Sequence, residues 1–223
     1  QTDDRVWFSH ATPPPFHSNL VVLAPTTTRE DIEAYAAALG NHRRDAAWSL
    51  KDSYARLDLG PRGFSLLFQA DWIWRDPGAA GDSRFKSRLK WTRVATPAGL
   101  SDWERAWSGD TRNESAPLRT RQFPTALLES PDHVFFAGLL EGKVLAGGVA
   151  NRSPGAVGLS NLFSPPEFLE DAWKALTACV TAAFPGTPIV GYERGDDLDL
   201  AQHVGFRPIG KLRIWCWPAS TGP

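Results

Sequence analysis

Apolar residues recur with two periods along this chain, two and about three and a half, and the changes of period mark out its elements. Residues 1–16 are polar and end in Pro13, Pro14 and Pro15, which predicts an extended arm. NLVVLAP then reads as a strand. Thr27 followed three residues later by Glu30 is a capping-box signature, predicting a helix through Ala38. AAWSL and GFSLLFQADWIW read as a short and a long strand, and DPGAAGDSR, residues 76–84, as a linker between domains.

Beyond the linker the pattern continues. LKWTRVAT reads as a strand and residues 97–109 as a helix. A polar loop, residues 110–124, carries Arg112, Arg119 and Arg121. HVFFAGLLEG and KVLAGGVANR form a predicted hairpin, and AVGLSNLF a further strand. The helix over 167–184 shows an apolar stripe of Leu169, Ala172, Trp173, Leu176 and Val180. Its expected start has Ser164 as N-cap, Pro165 in the first position and Glu167 closing a capping box, with Phe163 and Phe168 spaced for a hydrophobic staple. Last come PIVGY, a short helix with Asp196 as expected cap and Gly205 as expected terminator, and FRPIGKLRIW. A strand, helix and strand joined this tightly make a crossover unit.

Two stretches echo one another. LDLGPRGF, from Leu57, precedes Trp72, and LDLAQHVGF, from Leu198, precedes Trp215. Upstream, each follows a strand, a helix and a short strand in the same order. Residues 17–75 are therefore read either as a partial copy of the second half or as an unrelated small α/β subdomain.

The strand–turn–helix–Gly-Phe–strand ending, with the elements preceding it, resembles the GNAT superfamily of N-acetyltransferases over roughly residues 87–218. The resemblance implies an α/β (α+β) fold, a mixed, mainly antiparallel sheet flanked by helices. It sets a partial GNAT-like segment at 1–86 before a GNAT-like domain at 87–223. It implies acetyl-CoA as cofactor and an amine of a small molecule or peptide as acceptor, and it allows a homodimer. Asn161, Leu162 and Phe163 match the positions whose backbone meets the pantetheine arm; Leu169 and Glu170 fall where the pyrophosphate loop lies. That loop normally carries glycines whose N–H groups close on phosphate. Here neither glycine is present, and Glu170 and Asp171 would each cost an approaching phosphate about 1 to 4 kcal/mol at roughly 4 Å. Glu193, beside Tyr192 at the end of the penultimate strand, is the base candidate by location. Its alternative role is a surface carboxylate paired with Arg194 or Lys211. The family's Tyr acid falls on Ala201. The other implied function is a non-catalytic GNAT-fold module for ligand binding or interaction.

Composition narrows this further. The 223 residues carry 24 basic and 25 acidic side chains, so no net field favours nucleic acid or an anionic membrane. No apolar run approaches the roughly 18 residues of a membrane span, and no signal-peptide pattern is present. His10, His17, His42, His133 and His203 are scattered without metal-ligand spacing. Cys179 and Cys216 sit in apolar patterns and read as packed thiols of a reducing compartment, by default the cytoplasm. Trp103, Trp107 and Trp173 fall on apolar helix faces and read as core.

Overall fold

The computed structural model describes residues 4–9, 17–42, 48–78, 85–109 and 121–217. Among the described residues the architecture is mixed α+β, with mainly antiparallel strands flanked by four helices. The chain divides into two compact units, Gln1–Trp72 with Gly210–Pro223, and Ile73–Ile209. Arg112 and Arg119 lie outside the described residues.

In the first unit, β1 (Val6–Phe8) pairs antiparallel with β2 (Leu20–Val22), and β2 pairs in parallel with β3 (Trp48–Asp52). β3 then pairs antiparallel with the end of β10 (Arg207–Trp217), Asp52 facing Arg213 and Trp48 facing Trp217. β4 (Ser65–Arg75) follows β10 in the order. The alternation in WSLKD sends Trp48 and Leu50 inward, where they meet Ile32 of α1 (Arg29–His42), Phe64 and Trp215. The capping box of α1 forms one residue later than expected. The Thr28 amide donates to Asp31 Oδ2 at 2.9 Å and the Asp31 amide to Thr28 Oγ1 at 3.2 Å. Thr27 instead donates its hydroxyl to the Arg5 carbonyl.

In the second unit the order is β9 (Ile189–Glu193), β8 (Ala156–Phe163), β7 (Lys143–Ser153), β6 (His133–Leu140), β5 (Lys90–Arg93). All neighbours are antiparallel except β8 and β9. Ile73, from the end of β4, packs into this unit's core. Adjacent residues of β6 are buried on opposite faces, as a sheet covered on both sides requires. Phe135 and Ala137 pack with Leu100 and Trp103 of α2 (Pro97–Ser108); Phe136 packs with Trp173, Leu176 and Val180 of α3 (Leu169–Ala183). Gly148 lets α3 approach β7, since a Cβ there would lie 2.3 Å from Leu176 Cδ2.

Helix ends differ from expectation at two places. α3 starts at Leu169 after a 3-10 turn, Pro166–Phe168, and no side chain caps it. Ser164 donates to the Pro165 carbonyl at 3.0 Å, so the Ser164–Glu167 box does not form. The cause is Pro166: a residue preceding proline is held out of the helical region, and Pro165 is extended at φ −57, ψ 148. Phe163 and Phe168 enter different clusters and make no staple. At α4 (Gly195–His203) the N-cap position is Arg194, not Asp196. Gly195, at φ 56, turns the chain into the helix and leaves Asp196 and Asp197 in its first turn. Gly205 terminates it as expected, left-handed at φ 93, with Phe206 N–H donating to Ala201 and Gly205 N–H to Gln202.

Candidate functional site

The parallel strands β8 and β9 end on the same side of the sheet, and the residues singled out in sequence lie at or just after those ends. Their ladder pairs Val157 with Ile189 and Gly158 with Val190 and goes no further, although the strands run on to Phe163 and Glu193. A bulge explains the change. Against β7, Ser160 opposes Val149 and Phe163 opposes Gly147, so β8 holds one extra residue there. Asn161 absorbs it at φ 54, the left-handed region an Asn tolerates better than most residues. Asn161 Nδ2 donates to Ser160 Oγ at 3.2 Å. Ser160 is exposed and 161–163 are half-buried, although β8 lies between two other strands. Here the sheet opens.

Glu193 ends β9 half-buried. Burial, reinforced by the Asp197 carboxylate, pushes its pKa up to about 8 from 4.5. Of the two expected alternative partners, Arg194 and Lys211, the latter is held instead by both oxygens of Asp71 at 3.2 Å. Burial, with the charge of Glu193, also raises the pKa of Tyr192. Trp173 Nε1 contacts Asp197 Oδ1 at 3.5 Å, a long bond that ties α3 to the first turn of α4. Asp197 is the neighbour sequence reasoning missed. Its spacing of four from Glu193, across a strand-to-helix turn, was the only signal.

The start of α3 is built differently from its sequence reading. Asp171 is buried and accepts from Ser87 Oγ at 2.5 Å and from the Arg88 amide at 2.9 Å. Arg88 also donates to the Glu167 carbonyl, and its guanidinium lies 4.3 Å from the Phe168 ring centre. Glu170 is paired with Lys174 at 2.6 Å, and this bond holds its pKa below the usual value. Each acid therefore has a partner, and the repulsion expected of them is largely offset. Loss of the Asp171 carboxylate would leave the part-buried Ser87 hydroxyl and Arg88 amide without their acceptor, at a cost of about 1 kcal/mol.

Leu162 packs toward the α3 core, while Phe163 meets the Trp103 ring edge to face at 5.1 Å on the α2 side. Arg121, from the end of the polar loop, is tied back to α2 through Ser101 Oγ and the Pro97 carbonyl. Ala201 is fully buried in the α3 core, where the family's Tyr would stand. Among the described residues no group of His, Cys, Asp and Glu could hold a metal, and no helix is long and apolar enough to cross a membrane.

No protein-family model matches the chain, and no curated protein does. Solved structures do. A functionally unknown conserved protein from Staphylococcus epidermidis superposes at TM-score 0.70 and 12% identity, over 97% of this chain and 92% of that one. A GCN5-related N-acetyltransferase from Kribbella flavida matches at TM-score 0.57 and 14% identity, over 89% of this chain and 80% of that one. A tandem GNAT protein from the clavulanic acid biosynthesis pathway matches at 0.56 and 14%, over 92% and 75%. At these identities the likeness speaks to architecture alone: the chain has the GNAT fold.

Proposed function

We propose that the chain is a GNAT-type N-acyltransferase that moves an acyl group from acetyl-CoA to the amine of a small molecule or peptide. The observation that carries this reading is the parting of β8 from β9 at the Asn161 bulge, which frees backbone amides in mid-sheet. Asn161, Leu162 and Phe163 would pair with a pantetheine arm there. Leu169 and Glu170 would border its diphosphate end, whose charge would meet Arg88 and Lys174 in place of a glycine loop. When bound, acetyl-CoA supplies the acetyl thioester. Glu193 would take the proton of the incoming amine, a role suited to a carboxyl with its pKa near 8. Tyr192, which keeps its proton beyond the ordinary tyrosine range, would return one to the leaving sulfur.

We also infer that residues 17–75 are a partial copy of the second half. Gly63 is left-handed at φ 86, with Phe64 N–H donating to Leu59 and Gly63 N–H to Gly60, the same terminator as at Gly205. An eleven-residue strand follows in both cases. The two free thiols, Cys179 and Cys216, support a reducing compartment such as the cytoplasm.

A second reading, a non-catalytic module, is favoured by one observation, the buried Ala201 in place of a Tyr acid. Calorimetric titration with acetyl-CoA separates the two. Micromolar binding supports the enzyme; silence at millimolar cofactor overturns it.

A further inference from the structure

Alongside α2 the second unit holds a recess of about 660 Å³. Its size falls in the range of small-molecule sites, roughly 300–1,000 Å³. None of its lining residues belongs to the acyl-transfer site. Val94, Leu139 and Val144 give it an apolar floor. Among the described residues its charged lining is Arg93, Arg105, Lys143 and Asp102. Among those described residues the cations outnumber the anion, in a chain whose net charge is −1. Arg93 is exposed on an edge strand, and its side chain enters no ion pair among the described residues.

We propose that this recess is a second binding site, for a small amphipathic anion: an apolar tail on the Val94–Leu139–Val144 floor and a carboxylate-type head among the cations. An apolar tail is held by removal of its surface from water, which is indifferent to head-group charge. The cations select the sign, because a guanidinium meets a carboxylate through two parallel N–H donors and repels an ammonium.

Octanoate and octylammonium, titrated separately into the full chain at neutral pH, test both parts. Octanoate is expected to bind and octylammonium to bind about fivefold or more weakly, the discrimination of a partly exposed charge contact. Arg93→Glu should weaken octanoate by a similar factor with the melting temperature unchanged. Thr92→Trp, at an exposed lining position on a strand that accepts aromatics, should fill the recess and abolish octanoate binding. Equal affinity for the two probes, no octanoate binding at millimolar concentration, or octanoate binding indifferent to both substitutions would overturn the proposal. Binding of acetyl-CoA should be unaffected by Thr92→Trp, so failure here is distinguishable from failure of the acyltransferase reading.

Discussion

Glu193 has two consequences that can be measured apart from each other. Unfolded, it releases its proton near 4.5; folded, near 8. Between those values the folded chain holds the extra proton, so this residue lowers stability progressively as the pH rises through that window. As a base it must be deprotonated, so activity runs in the opposite sense and climbs toward pH 8. Glu193→Gln is expected to erase the rising limb of the kcat/KM profile. It should also melt higher than the parent at about pH 9 while matching it near pH 4, where both side chains are neutral. A rising limb kept intact in the variant would remove Glu193 from the chemistry. Asp171 illustrates a different outcome: the acid that argued against a phosphate is a buried acceptor fastening the Ser87–Arg88 segment to α3.

At the scale of elements, the bulge in β8 makes the strictest demand. Asn161→Gly should leave stability within about 0.5 kcal/mol, because glycine takes a left-handed φ freely. Asn161→Val should cost about 1–2 kcal/mol in denaturant unfolding, and should weaken acetyl-CoA if the opening receives it. The strands and helices of the second unit were legible because their periods are clean, and because HVFFA and VLAGGVA carry apolar residues on both faces. The start of α3 was not legible. Ser164 and Glu167 have the right spacing, but the Pro165–Pro166 pair forbids the geometry. The α1 cap shows another kind of ambiguity. Thr27–Glu30 and Thr28–Asp31 carry the same signature one residue apart, and Arg5, which takes the Thr27 hydroxyl on its carbonyl and pairs with Asp31, decides between them. The link from Glu193 to Asp197 required knowing how β9 turns into α4.

For the whole molecule, the decisive feature is that the units are not contiguous in sequence. The first is completed by Gly210–Pro223. β10 gives β3 its antiparallel partner, and Trp215 joins the core around Leu50 and Trp48. A chain ending at Ile209 should therefore lose the first unit and keep the second. Limited proteolysis would cut within residues 1–72 while protecting 73–209, and equal protection of both would contradict this account.

β10 is synthesised about 150 residues after β3. On the ribosome, residues 1–72 emerge early, and β3 has β2 beside it but lacks its antiparallel partner until β10 follows. The nascent chain must carry that unpaired strand edge until β10 emerges, which makes the edge a target for chaperone capture during synthesis.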